Sequence, residues 1–154
     1  MSNEIMVSNI KESYEITQNA EGKFQRKAVY QMFSSITPET KEQKIAMMNL
    51  LSGDDANTQP LGENIGKEFE IADVIINPYD KVNEETGEME YGVLSYLITP
   101  EGIVYVTSSK SVYFSLKRIF QVFGEPHYGA GEIVVKAVKK QGQQFKYTDI
   151  QIVG

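Results

Sequence analysis

Residues 91–126 read YGVLSYLITPEGIVYVTSSKSVYFSLKRIFQVFGEP, and this stretch decides the fold. Tyr91–Ile98 is a strand by its apolar and aromatic content. Thr99-Pro100-Glu101-Gly102 places proline and glycine where a four-residue reversal wants them. Ile103–Thr107 is the returning strand. Ser108 or Ser109 then caps a helix that reaches Phe123. Its apolar side is Val112, Leu116, Ile119, Phe120 and Phe123, at helical spacings. Gly124 suits a left-handed helix end, and Pro126 prevents continuation.

The same reading extends both ways. Downstream, Glu132–Lys140 and Gln144–Ile152 are strands joined at Gln141-Gly142. Upstream, Lys67–Asn77 is a strand, and the acidic stretch Asp80–Glu90, with Gly87, reads as a long loop. From Leu61 the order is strand, strand, strand, helix, strand, strand. A helix between the third and fourth of five strands is the order of the OB-fold, a partly open Greek-key β-barrel. The expected class is therefore mainly β: an OB-fold domain at 61–154 behind an N-terminal arm and strand–helix extension at 1–60. In that extension, residues 1–20 read as an arm or edge strand and Lys23–Ile36 as a strand. Thr37-Pro38-Glu39 starts a helix that runs to about Leu51. Ile45, Met48, Leu51 and Met47 lie on one side of it, and Gly53 stops it.

Composition narrows the function. The chain has 154 residues, 41% of them hydrophobic, which suits a packed domain. It has no cysteine and one histidine, His127. Disulfides, thiolate catalysis and multi-histidine metal sites are excluded. No apolar run has membrane-spanning length and no signal-peptide pattern opens the chain, so the expected compartment is the cytoplasm, with no membrane partner. The net charge of −6 is unevenly spread. Residues 54–90 hold eleven acids against Lys67 and Lys81, whereas 91–154 hold seven bases against four acids. Such a dipolar molecule can offer one side to a polyanion.

The turns set what the strands present. A four-residue turn at 99–102 makes Ile98 face Ile103 and Tyr96 face Tyr105, with both rings on the outer face and Val93, Leu97, Val104 and Val106 inside. A turn at Gln141-Gly142 makes Lys136 face Tyr147 and Val138 face Phe145. Ile133, Val135, Ala137 and Ile150 then turn inward. Rings interleaved with amines suit single-stranded nucleic acid, whose bases stack on aromatics while its phosphates meet cations. The candidate stacking residues are Tyr96, Tyr105, Phe145 and Tyr147. The candidate phosphate contacts are Lys110, Lys117, Arg118, Lys136, Lys139 and Lys140. The bland readings are an aromatic pair covered by the N-terminal segment, and Tyr113, Lys117 and Arg118 on a solvated helix face. Ser108, Ser109 and Ser111 with Lys110 either cradle a phosphate or simply cap the helix.

No feature supports catalysis or a cofactor. The carboxylate pairs Glu84/Glu85 and Glu88/Glu90 lie in the loop read at 80–90, and there is no glycine-rich phosphate loop. Thr37–Lys44, Pro60-Leu61 through Gly66–Ile71, Thr86-Gly87-Glu88, Thr107–Ser111, Ser115-Leu116-Lys117 and Phe123-Gly124-Glu125-Pro126 together resemble the single-stranded DNA-binding proteins of phages and conjugative plasmids of Gram-positive bacteria. That resemblance implies an OB-fold that coats single-stranded DNA without sequence preference during replication or transfer. It also implies a homo-oligomer along the strand, to which the N-terminal arm could contribute. Bacterial housekeeping relatives end in an acidic recruiting tip, whereas this chain ends Asp149-Ile150-Gln151-Ile152-Val153-Gly154. The competing functions are a protein–protein adaptor and an RNA-binding OB-fold.

Overall fold

The computed structural model describes residues 13–18, 24–53, 55, 57–127 and 133–153. Their order is β1 (Ser13–Gln18), β2 (Phe24–Val29), β3 (Phe33–Ser34), α1 (Lys41–Leu51), β4 (Thr58–Pro60), a 3-10 turn (Leu61–Glu63), β5 (Glu68–Ile71), β6 (Asp73–Val82), β7 (Met89–Ile98), β8 (Val104–Thr107), α2 (Lys110–Phe123), β9 (Ile133–Gln141) and β10 (Lys146–Ile152). The class is mainly β. β1 and β2 form an antiparallel pair, β10-β9-β5 a three-stranded sheet, and β3-β6-β7-β8-β4 a five-stranded sheet. Among the described residues no ladder joins β8 to β10, because β4 occupies the free edge of β8 in parallel. The two sheets are therefore not closed into one hydrogen-bonded barrel.

The main core fills the space between the sheets and α2. Val74, Ile76, Val93, Leu97 and Tyr105 come from the larger sheet, Phe69, Ile71, Ile133, Val135, Ala137 and Ile150 from the smaller. α2 closes it with Val112, Tyr113, Leu116, Ile119 and Phe120. Ser109 is the N-cap, its Oγ accepting from the Val112 N–H, and Gly124 ends the helix at a φ of 91°. Tyr113 is fully buried, so the solvated helix face does not include it.

A second apolar cluster lies on the opposite face of the large sheet. Leu50 of α1 packs on Ile75, Tyr96 and Val104, with Met47, Leu51, Leu94 and Val106 around them. Both faces of β7 are thus covered. A strand covered twice reads as a near-continuous apolar run, which is what Val93–Ile98 is. Ile45 and Met48 are exposed, so the packed stripe of α1 is Met47, Leu50 and Leu51 rather than Ile45, Met48 and Leu51. The helix also starts later than Thr37. Thr40 caps it in a capping box with Gln43, each side chain bonded to the other's backbone N–H.

Three other expectations change. Lys67–Asn77 is two strands, broken at Ala72, and the second runs on to Val82. Lys23–Ile36 is likewise two, β2 and β3. The long acidic loop shrinks to 83–88, because Asn83 Oδ1 accepts from the N–H groups of Glu85 and Thr86 and Gly87 takes a φ of 73°. These bonds close a tight reversal that lets β6 and β7 pair out to Val82 and Met89. Of the expected arm at 1–20, residues 13–18 form β1; the remainder lies outside the described residues.

Candidate nucleic-acid interface

The geometry of the β7–β8 hairpin corrects the first aromatic pair. Thr99 and Ile103 close the turn, with the Thr99 N–H donating to the Ile103 carbonyl at 2.9 Å and the Gly102 N–H to Thr99 at 3.0 Å. The loop is therefore Pro100-Glu101-Gly102, with Gly102 at a φ of 89°. A three-residue loop that ends on a left-handed residue is a common hairpin form. Pairing shifts by one residue: Ile98 faces Val104, Tyr96 faces Val106, and Leu97 faces Tyr105. A one-residue slip turns every β8 side chain to the other face. Tyr96 is 3% exposed beneath α1, and Tyr105 is 1% exposed in the main core. The Tyr105 ring centroid lies 4.3 Å from that of Phe69, and Lys67 Nζ lies 5.7 Å from it. Neither tyrosine presents a ring face to solvent.

The β9–β10 hairpin keeps its aromatic-basic face, with a different register. Its loop is Gly142-Gln143-Gln144-Phe145, closed by the Gly142 N–H on the Phe145 carbonyl at 3.0 Å. Lys140 then faces Tyr147, Lys136 faces Gln151, and Val138 faces Asp149. Lys136, Lys140 and Tyr147 share one sheet face, while Lys139, opposite Thr148, is on the other. Phe145 is 71% exposed at the loop. With Tyr147, Gly142, Gln143 and Gln144 it lines an open groove of about 310 Å³. An exposed ring above a half-buried one is a surface on which bases can stack.

Lys140 stands opposite Tyr147 on the ladder. Lys140 Nζ donates to Asp149 Oδ2 at 2.7 Å, and Arg118 on α2 is near enough for its charge to oppose that of Lys140. The hydrogen bond and charge of Asp149 hold the Lys140 ammonium above its ordinary 10.5. Lys117 lies 6.0 Å over the Phe114 ring. Lys110 is exposed at the start of α2, and Lys136 faces Glu68 of β5 across the ladder. The serine cluster reads as an ordinary cap, since Ser109 Oγ also donates to the Thr148 carbonyl at 2.6 Å. His127 Nε2 lies 3.3 Å from Asp73 Oδ1. Among the described residues no group of three His, Asp or Glu side chains is placed to hold a metal.

The sequence reading passed over Asp149 and Tyr79. The phenol of Tyr79 lies across Gly92, where any added Cβ would clash with it. The signal for that contact is a ring directly opposite a glycine on the neighbouring strand, legible only once β6 is extended past Asn77.

The ring of Tyr147 with the amines of Lys136 and Lys140 on one face of the β9–β10 hairpin, and Phe145 exposed at its loop, suit a single-stranded nucleic acid. Comparison with known proteins agrees: residues 26–152 match the phage single-stranded DNA-binding protein family. The chain is 34% identical over 153 residues to the single-stranded DNA-binding protein of Bacillus phage GA-1, covering 97% of this chain and 89% of that protein. The chain belongs to the phage single-stranded DNA-binding protein family. No solved structure matches it. Among the described residues no helix is long and apolar enough to cross a membrane.

Proposed function

We propose that the chain binds and coats single-stranded DNA without sequence preference during phage replication, and that it does no chemistry. The family match across residues 26–152 carries this reading. Phe145 and Tyr147 stack bases, and Lys140, Lys136, Arg118 and Lys117 meet phosphates; Lys110 at the start of α2 and Lys139 on the other sheet face are the remaining candidates. Duplex DNA hides its base faces, so such a surface selects single strands. The order of β5 and β6, β7, β8, α2, β9 and β10, with β5 paired to β9, supports an OB-fold unit at 61–154 left open at β8. Residues 1–60 are then an extension that laces β3, β4 and α1 onto it. Coating places copies side by side on the strand, as a homo-oligomer in the host cytoplasm.

The test is competition. A labelled dT oligomer is displaced by unlabelled single-stranded DNA but not by a duplex of equal length. Displacement by matched RNA with equal efficiency would move the reading to RNA, and no binding at low salt would leave the adaptor function.

A further inference from the structure

Asp149 is 5% exposed, yet it lies on the face that carries Lys140 and Tyr147. A buried carboxylate is costly unless its oxygens are satisfied. Here three donors from different places satisfy it. Ser115 Oγ on α2 donates to Oδ1 at 2.7 Å, the Ile150 N–H donates to Oδ1 at 2.8 Å, and Lys140 Nζ on β9 donates to Oδ2 at 2.7 Å. Lys140 is the exposed member of this set, its side chain being about half exposed. Ser115 and Arg118 are three residues apart on α2 and so share a helix face. The same face therefore brings Arg118 toward Lys140. Two cations placed together repel, and the buried anion offsets that repulsion.

We propose that Asp149 is a positioning residue for DNA binding: it seats the Lys140 ammonium beside Arg118 so that the two cations take one phosphate next to the Tyr147 ring. The inference rests on the single-stranded DNA reading above. The row Asp149, Lys140, Arg118 carries a net single positive charge, which one phosphodiester completes. The Lys140 ammonium has three N–H donors and gives one to Asp149, leaving two for a phosphate. Tyr147, opposite Lys140 on the ladder, takes the attached base.

The experiment compares wild type, Asp149→Asn, Lys140→Met and the double variant, titrating a short labelled dT oligomer at several salt concentrations. Net charge alone predicts tighter binding for Asp149→Asn, since an anion is removed. Positioning predicts the opposite sign: weakening on the order of tenfold at low salt, and a log–log salt slope shallower by about 0.7, one single-strand phosphate. The double variant should bind no worse than Lys140→Met. Ser115→Ala, which keeps every charge, guards against a fold defect in the asparagine variant and should weaken binding in the same direction. Tighter binding or an unchanged slope in Asp149→Asn, with Ser115→Ala silent, would overturn the proposal. Failure of the wild type itself to bind the oligomer would instead overturn the single-stranded DNA reading.

Discussion

Tyr105 stands opposite Leu97 on the β7–β8 ladder, and its ring lies against that of Phe69 from the other sheet. This contact joins the two sheets through the main core. Tyr96, one residue from Leu97, points the other way and is held beneath α1 by Leu50. The two tyrosines therefore anchor opposite faces of a single sheet.

Tyr105→Ala should destabilise the chain by about 3–5 kcal/mol, the usual cost of truncating a large buried ring. Urea unfolding measures it. DNA affinity per folded molecule should stay unchanged, because the ring has no solvent-facing surface.

Phe145→Ala should do the reverse. An exposed loop ring contributes little to folding, so stability should move by no more than about 0.5 kcal/mol. The affinity for a dT oligomer should fall by about 1–3 kcal/mol, the worth of one stacked base. A fully bound strand with unchanged affinity would take Phe145 out of the interface.

Gly102→Ala puts a side chain at a φ of 89° in the turn that sets the β7–β8 register. A left-handed conformation costs a non-glycine residue about 1–2 kcal/mol, and thermal unfolding should show a loss of that size. Nothing lies within 4 Å of the added Cβ, so the cost is conformational rather than a clash.

Alkaline pH should weaken the fold. Burial pushes the Tyr96 hydroxyl above its ordinary 10.0, with the Asn77 hydrogen bond acting against it, and Asp149 pushes Lys140 above 10.5. Both groups have a raised folded pKa. Their contribution is full below the unfolded value and is lost as pH rises through the folded one. Melting temperature should therefore fall above about pH 10 from these groups. Tyr96→Phe should flatten part of that fall, and an identical pH profile would contradict the assignment to Tyr96.

The order of elements from Leu61 onward was legible because each boundary has a chemical mark: Ser109 and Gly124 at α2, Pro100 and Gly102 at the hairpin, Gly142 at the last turn. Register was harder. At β7–β8 a three-residue loop replaces a four-residue one, pairing moves by one, and Tyr105 turns over. The cue was present, since proline second and glycine fourth suit a type I turn closed by a left-handed residue. At β9–β10 the pairing moves by four, an even number, so the same side chains stay on the same faces. Ile133, Val135, Ala137 and Ile150 are in the core, and Lys140 and Tyr147 share the other face. Which sheet face residues 1–60 cover was left open, because it depends on where α1 docks; the alternative of a ring beneath the N-terminal segment holds for Tyr96. The cap at Thr40, one turn beyond Thr37, belongs with that: the helix start is local chemistry, but its packed stripe is decided by the sheet beneath it. Asp149 escaped notice because a lone acid in a strand looks solvated until its three donors are in place.

The most direct test of the central claim is fluorescence anisotropy of a labelled poly-dT oligomer, titrated with wild type and with the Phe145→Ala/Tyr147→Ala double variant at two salt concentrations. Tight binding by the wild type, weakened by salt, absent for duplex and lost by about a hundredfold in the folded double variant, is the expected result. Equal affinity of the two proteins, or no wild-type binding at low salt, would contradict it.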